Sequence, residues 1–257
     1  MSRHVPQMRA VAPQGVFEQA MTMACALPGK LGHIGYRKLK RRRSKRLPDY
    51  YDAFIADLRS GDLCIDLGAN VGEMTTRFAQ QGADVIAFEP DPDTFSWLEK
   101  NTSQLPTVTR VQKATADKAD RLMLRRSSRY FEDPERYSVA ASLVRDDHKV
   151  DDSNAVEVEV IDFPAYLASL DRDVRILKID IEGSEWDLLE ALSKTPAFSR
   201  IDSIFVETHE RFDPAAIIPR AEKLHLLAES TARPYIDLYW GRTDRSNGSF
   251  SNKAPTG

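Results

Sequence analysis

The sequence has little cysteine, no long apolar run and almost no excess of one charge. Only Cys25 and Cys64 are present, which excludes a disulfide-stabilised fold and a four-cysteine zinc site. No stretch approaches the roughly 18 uninterrupted apolar residues of a membrane-spanning helix. The 36 lysines and arginines nearly balance the 39 acidic residues, so the net charge of −3 does not indicate a surface built for nucleic acid. These features predict a soluble, cytoplasmic, globular protein.

The chain is divided by its composition into three parts. Residues 1–48 are predicted to form a helical, basic extension, residues 49–240 the main domain, and residues 241–257 a polar tail. Within the extension, eight of the ten residues from 37 to 46 are lysine or arginine. They follow a modest apolar stretch, whereas a secretory signal has its basic residues first. The extension therefore does not resemble a cleavable signal.

The main domain alternates short apolar runs with segments of helical length. This alternation predicts an α/β sandwich with a mostly parallel sheet and helices on both faces. The less regular region 117–162 is interpreted as an inserted hairpin or lid, including a strand at 139–144. The strands of the sheet are predicted at 63–67, 84–88, 108–112, 174–179, 201–206 and 235–240. Ligands of such sheets bind at the carboxyl ends of the strands.

A glycine-containing loop follows the first predicted strand, in the order Asp66-Leu67-Gly68-Ala69-Asn70-Val71-Gly72. Glu89 lies 21 residues after Gly68 and precedes Pro90, where an acid can accept hydrogen bonds from both hydroxyls of a ribose. A plain glycine turn and a helix-entry carboxylate are the alternatives. Glu73, in the position of the last glycine of a dinucleotide motif, disfavours a pyrophosphate and hence NAD. The pattern instead suits S-adenosylmethionine.

Four segments together resemble the FkbM-type S-adenosylmethionine-dependent methyltransferases: residues 66–72, 88–90, 177–185 and 205–210. The most specific of them is Lys178-Ile179-Asp180-Ile181-Glu182-Gly183-Ser184-Glu185. The resemblance extends over about residues 52–240. It implies a Rossmann-like class I methyltransferase fold with a seven-stranded sheet whose final strand is antiparallel. It also implies O-methylation of a hydroxyl on a sugar, glycolipid or small natural-product acceptor.

The resemblance assigns cofactor contacts to individual residues. The glycine loop would hold the methionine portion, Glu89 the ribose, and Asp180 would face the sulfonium and the acceptor. The adenine is expected near Ala114, although residues 114–117 depart from the Ser-Asp pattern common in the family. The implied cofactor-binding residues are Asp66, Gly68, Ala69, Asn70, Gly72, Glu89, Pro90, Ala114 and Asp180.

Several polar residues lie at or just after the ends of the later strands: Asp180, Glu182, Glu185, Glu207 and His209. Strand alternation would place Lys178, Asp180 and Glu182 on one face. We predict Asp180 and Glu182 near the acceptor and His209 as a candidate base. The alternatives are that Glu185 only complements a helix dipole and that His209 is an ordinary loop residue. A divalent cation held by Asp180, Glu182, Glu207 and His209 is a further alternative, but no compact ligand motif supports it and we predict no metal.

Other acceptors and partners are distinguished by what the sequence contains. Enzymes that methylate amino groups of nucleic-acid bases place an Asn-Pro-Pro-Tyr-like turn where this chain has Asp180-Ile181-Glu182-Gly183, and no Pro-Cys pair for cytosine-C5 chemistry occurs. Nucleic acid is therefore not the predicted substrate. The basic run Arg37–Arg46 is interpreted as a solvated helix face, a lid over an acidic pocket, or a contact with an anionic membrane surface. The alternative function is a non-catalytic nucleotide-binding or scaffold protein attached through this run.

Overall fold

The computed structural model describes residues 15–25, 27, 30–44, 51–127, 150–209 and 214–240. The predicted boundary between residues 48 and 49, the predicted strand at 139–144 and the predicted tail 241–257 lie outside these residues. Among the described residues, no helix is both long and apolar enough to cross a membrane.

The strands in the described part of the chain form two sheets. In chain order they are β1 Leu63–Leu67, β2 Asp84–Phe88, β3 Val108–Val111, β4 Ala114–Ala116, β5 Asp120–Ser127, β6 Val150–Asp162, β7 Val174–Ile179, β8 Ile201–Val206 and β9 Tyr235–Asp237. The central sheet has the order β3-β2-β1-β7-β8-β9, and the smaller sheet has the order β4-β6-β5.

The helices lie before, between and after these strands. They are α1 Gly15–Cys25, α2 Lys30–Ser44, α3 Tyr51–Ala56, α4 Glu73–Gln80, α5 Pro92–Thr102, α6 Phe163–Ser169, α7 Glu185–Leu192 and α8 Pro214–Ser230, with a 3-10 turn at Pro196–Arg200. Helix α5 begins as predicted, because the Asp91 carboxylate accepts hydrogen bonds from the backbone N–H groups of Asp93 and Thr94 and Pro92 occupies the first turn. Helix α6 was not predicted; it begins with Asp162, whose carboxylate accepts from the Ala165 N–H.

The predicted Rossmann-like α/β class is confirmed by the central sheet. Strands β1, β2, β7 and β8 have the predicted bounds. The described sheet has six strands rather than the predicted seven, and each of its strand pairs is parallel. An antiparallel seventh strand is therefore not found among the described residues. The order reverses direction between β1 and β7, the switch point at which open α/β sheets bind ligands.

Apolar side chains cover both faces of the central sheet. One face packs around Trp186, Phe163 and the aliphatic residues of α7, and it includes Tyr36 from α2. The other face packs around Tyr51, Phe78 and Phe205. Each buried side chain of this size contributes roughly 1.5–3 kcal/mol to folding. The two layers hold the carboxyl ends of β1, β2, β7 and β8 at one edge.

The small sheet includes most of the described residues of the region 117–162, together with β4 just before it. Strands β5 and β6 pair as an antiparallel hairpin, and β4 joins β6 in parallel. Its own core consists of Ala114, Ala116, Leu124, Val158 and Val160. That this hairpin acts as a lid stays a prediction.

Candidate active site

The glycine loop turns sharply at the carboxyl end of β1. The backbone N–H groups of Gly68 and Ala69 both donate to the Phe88 carbonyl at the end of β2, at 3.0 and 2.8 Å. Gly68 has φ +75°, and a Cβ atom at this position would lie 1.8 Å from the Asp180 carbonyl oxygen. Only glycine fits here, because the loop backbone lies directly against the turn that follows β7.

Asp66 supports this loop from inside the protein. Its carboxylate accepts a hydrogen bond from the Thr75 hydroxyl at 2.7 Å and pairs with the Lys178 ammonium at 3.1 Å. The Asp66 side chain is fully buried. This burial gives Asp66 a role in positioning the loop, and its direct contact with the methionine portion of a cofactor stays a prediction.

Lys178 connects the glycine loop, which is the cofactor half of the site, with the turn after β7, which is the acceptor half. Its ammonium donates to the Gly68 carbonyl at 2.6 Å and lies 3.6 Å from the Asp180 carboxylate. Burial opposes the charged form, but Asp66 and Asp180 outweigh it and raise the pKa of Lys178. This buried cation neutralises two neighbouring carboxylates.

Glu89 lies beside the glycine loop, as its spacing predicted. One carboxylate oxygen accepts from the Asn70 N–H at 2.9 Å and the other from the Asp91 N–H at 3.0 Å. Burial raises the pKa of Glu89 to about 7, although both backbone donors act in the opposite direction. The residue is buried, with 7% of its surface exposed.

The turn after β7 is organised by Glu185. Strand β7 ends at Ile179, so the predicted alternation does not continue through Glu182, which has φ +54°. The fully buried Glu185 carboxylate accepts from the Gly183 N–H at 3.0 Å and from the Ile181 N–H at 3.3 Å. Glu185 therefore fixes the turn that carries Asp180 and Glu182, a role beyond complementing the dipole of α7.

His209 is surrounded by three carboxylates. Its Nδ1 lies 2.7 Å from Glu185, and its Nε2 lies 3.3 Å from Glu182 and 3.9 Å from Asp180. Burial would lower the pKa of His209, but the carboxylates, Glu185 first, raise it to about 10. A pKa in this range favours a protonated ring, which donates a proton rather than accepts one, and the role of His209 as a base stays a prediction. An imidazolium here orders the acidic side chains.

Glu207 follows β8 and faces the same cluster. Burial and the nearby Asp180 raise its pKa to about 7, although His209 and Lys178 act in the opposite direction. Next to it, the buried Lys40 ammonium of α2 donates to the Thr208 hydroxyl and lies 3.5 Å from the Thr208 carbonyl. Helix α2 thus contacts the edge of the site.

Three of these side chains have the chemistry of a cation site. Asp180, Glu182 and His209 each offer one ligand atom, and these atoms lie within 4.8 Å of one another. Carboxylate and imidazole ligands suit Mg²⁺ or Mn²⁺. A cation and the proton on His209 Nε2 would compete for the same nitrogen. The sequence-based prediction of no metal stays a prediction.

The structure brings together most of the residues singled out in the sequence. Asn70, Gly72 and Pro90 lie in the loops after β1 and β2, together with the buried Ala69, while Asp180, Glu182 and His209 gather at β7 and β8. The side chain of Ala114 instead packs in the core of the small sheet, and its adenine contact stays a prediction. Lys178 and Glu185 were not among the predicted catalytic or cofactor-binding residues, although the sequence indicated both as polar residues near the end of β7. Their signal was position: Lys178 interrupts the apolar run from Ile176 to Ile179, and Glu185 begins the helix that follows the turn after β7.

Solved structures with limited similarity include two methyltransferases. One is described as a putative rRNA-methylase from Clostridium thermocellum, at 13% identity and a TM-score of 0.39, with 68% of this chain and 75% of that chain covered. The other is precorrin-6y C5,15-methyltransferase from Geobacter metallireducens, at 13% identity and a TM-score of 0.36, with coverage of 73% and 70%.

Sequence comparison identifies the family. The hexuronic acid methyltransferase AglP of Haloferax volcanii is 24% identical over 185 residues, which are 71% of each chain. Methyltransferase 1 of Beauveria bassiana is 29% identical over 173 residues, 60% of this chain and 67% of the relative. The family model for the methyltransferase FkbM domain matches residues 66–225, in which both halves of the site lie. The chain therefore belongs to the FkbM methyltransferase family.

Proposed function

We propose that this protein transfers a methyl group from S-adenosylmethionine to a hydroxyl of a sugar-containing acceptor. The observation that carries the proposal is the group of carboxylates at the ends of β7 and β8, packed directly against the glycine loop. Methyl transfer to a hydroxyl needs a proton acceptor at this position. The name of the Haloferax volcanii relative supports a sugar acid as the acceptor class.

The residues present fit the cofactor. The close contact of Gly68 with the Asp180 carbonyl leaves no room for a side chain, so the loop presents its backbone to a ligand. Glu89 is placed to accept hydrogen bonds from ribose hydroxyls, since each of its oxygens is already oriented by one backbone N–H. When bound, S-adenosylmethionine supplies an electrophilic methyl group on a sulfonium sulfur, which leaves as a neutral thioether.

Glu207 is the residue that we assign as proton acceptor. Its side chain lies near Asp180 at the carboxyl end of β8, and its pKa of about 7 leaves a useful fraction ionised at neutral pH. As the acceptor oxygen forms its bond to the methyl carbon, the hydroxyl proton passes to the Glu207 carboxylate. Asp180 and Glu182, held by Lys178 and His209, orient the acceptor by hydrogen bonding.

Binding of the cofactor product is the first test. Calorimetric titration with S-adenosylhomocysteine is expected to show micromolar affinity, while NAD⁺ is expected not to bind. The purified protein is then incubated with methyl-labelled S-adenosylmethionine and free or glycosidic hexuronic acids, and label in the acceptor is measured. Binding without transfer to any hydroxyl acceptor would instead favour the scaffold alternative. Binding of NAD⁺ alone would contradict the proposal.

A pair of variants tests the proton acceptor. Glu207→Gln is expected to lower kcat by about 10²- to 10⁴-fold with little change in the affinity for S-adenosylhomocysteine. Glu157→Gln is the matched control, because Glu157 is an exposed residue of β6 paired with Arg121. Equal activity of both variants would assign the proton to another group.

A further inference from the structure

The hairpin formed by α1 and α2 exposes an unusual number of large apolar side chains. Of the large apolar residues that the structure describes as exposed, two lie elsewhere, Met123 and Leu226. The other six belong to this hairpin: Val16, Phe17, Met23, Leu27, Leu31 and Ile34. Val16 is 82% and Met23 75% exposed. Such a concentration of exposed apolar side chains in one element favours a site of interaction.

Cationic residues share the exposed face of α2 with two of these apolar residues. At about 100° per residue, positions 31, 34, 37, 38, 41 and 42 fall within one arc of about 140°. They are Leu31 and Ile34 near the helix start, followed by Arg37, Lys38, Arg41 and Arg42. All six are exposed. The outward face is thus apolar at one end and strongly cationic at the other.

The opposite side of the hairpin is packed and fixed. A Cβ atom on Gly35 would lie 2.9 Å from the Cβ of Ala24, so α1 and α2 meet backbone to backbone. At the border of the outward face, the buried Glu18 carboxylate of α1 pairs with Arg42 of α2 at 3.0 Å and so ties the two helices together. Tyr36 packs in the main core. The exposed residues are therefore presented by a preformed element held against the main core.

We propose that the α1–α2 hairpin docks on the surface of an anionic lipid bilayer. A lipid surface satisfies both parts of this face, because acyl chains accept the apolar side chains and anionic headgroups attract Arg37, Lys38 and Arg41, while Arg42 is already paired with Glu18. Nucleic acid offers phosphates but no apolar partner for Leu31 and Ile34. A second copy of the chain would bring the same cations face to face. Of these three partners, an anionic bilayer is the one that matches both the cationic and the apolar residues of this face.

Docking would place the site close to the bilayer. The inward-facing Lys40 of α2 contacts Thr208, which precedes His209. The edge of the sheet that carries the acidic cluster therefore adjoins the helix that binds the surface. The docking proposal does not depend on the proposed chemistry, since its test uses lipid binding alone.

Sedimentation with vesicles tests the proposal. The full chain is mixed with vesicles of phosphatidylcholine alone or with 30% phosphatidylserine, at low and high salt. Binding is expected only with phosphatidylserine and is expected to weaken as salt rises. Arg37→Gln combined with Lys38→Gln is expected to weaken binding about 25-fold, at about fivefold per basic residue. Leu31→Ser combined with Ile34→Ser is expected to weaken it at least tenfold.

Matched variants serve as controls. Met123→Ser with Leu226→Ser removes the exposed apolar residues outside the hairpin, and Arg59→Gln with Lys118→Gln removes two exposed cations elsewhere. Both pairs are expected to bind vesicles as the wild type does, and circular dichroism checks that every variant is folded. Failure of the wild type to bind vesicles would overturn the proposal. Hairpin variants that bind normally would also overturn it, as would binding of duplex RNA alone or sedimentation as a dimer that Leu31→Ser dissociates.

Discussion

Gly68 lies where the cofactor loop and the turn after β7 come closest. A Cβ atom at this position would be strained by the positive φ and would also clash with the Asp180 carbonyl oxygen. Any side chain therefore carries both penalties. Gly61, just before β1, also has a positive φ of +88°, but a Cβ there would have open space around it. Substitutions at the two glycines therefore distinguish the cost of a positive φ from the cost of a steric clash.

Gly68→Ala is expected to lower the free energy of unfolding by about 3 kcal/mol or more and to abolish binding of S-adenosylhomocysteine. Gly61→Ala is expected to cost about 1 kcal/mol and to bind normally, since it meets only the conformational penalty. Urea denaturation and calorimetry measure the two effects. Equal losses in the two variants would show that the contact with Asp180 is unimportant.

Glu89 predicts a pH dependence of cofactor binding. Its pKa of about 7 reflects burial, and ribose hydroxyls donate to its ionised form. Affinity for S-adenosylhomocysteine is therefore expected to reach its maximum above pH 7. Below pH 7 it is expected to fall, approaching a tenfold decrease per pH unit. Calorimetric titrations from pH 8 to 5.5 measure this. Glu89→Gln is expected to bind weakly at every pH, and a variant with the wild-type profile would exclude Glu89 as the cause.

His209 carries a prediction about metal dependence. Because the imidazolium already lies among Glu182, Glu185 and Asp180, we expect methyl transfer to be unchanged within about twofold by EDTA or by added Mg²⁺ or Mn²⁺. Activity assays with chelated and metal-supplemented protein measure this. Tight binding of Mn²⁺ that His209→Gln removes would contradict the prediction and assign a cation to Asp180, Glu182 and His209.

At the scale of elements, the site depends on the junction of β1 with β7. These strands are neighbours in the sheet but lie more than 100 residues apart in the chain. Lys178 of β7 bonds the Gly68 carbonyl and Asp66 of β1, so one buried ammonium holds the two loops in register. The cofactor half and the acceptor half of the site meet at this residue.

Lys178→Met is expected to lower the free energy of unfolding by about 3–5 kcal/mol, because it leaves the buried Asp66 carboxylate without its cation. Adding Asp66→Asn to this variant is expected to restore part of the loss. Lys113→Met is the control, since Lys113 pairs with Glu159 on the surface and its loss is expected to cost at most about 1 kcal/mol. Denaturant unfolding of the four proteins measures the differences. Restoration by Asp66→Asn is the outcome that a purely steric role of Lys178 would not produce.

At the scale of the whole molecule, helix α2 packs against the main domain. The sequence suggested an extension preceding the domain, but Tyr36 and Leu39 of α2 are buried, and Tyr36 packs with the apolar core beneath α7 and α8. Helix α2 also reaches the site through Lys40. An independent appendage would make none of these contacts.

Tyr36→Ala is therefore expected to destabilise the entire protein by about 3–5 kcal/mol in a single unfolding transition. Ile34→Ala, at an exposed position two residues earlier on the same helix, is expected to change stability by less than about 0.5 kcal/mol. Calorimetric melting of both variants measures the effect. An unchanged main transition in Tyr36→Ala would show that the hairpin folds separately.

Local features of the sequence determined much of the fold and one half of the site. The bounds of β1, β2, β7 and β8, the cap at Asp91 and the pairing of the glycine loop with Glu89 follow from apolar runs, turn residues and short spacings. Such features depend on residues that are close together in the sequence, so they can be predicted from the sequence alone.

Tertiary structure decided how the charged residues act. Asp66 became a buried support because Lys178 reaches it from β7, and His209 became an imidazolium because Glu185 lies 2.7 Å from its ring. The sequence likewise could not show that the cations of α2 divide between an outward face and Lys40 at the site. Protonation and burial depend on distances between residues far apart in the chain, and only packing sets those distances.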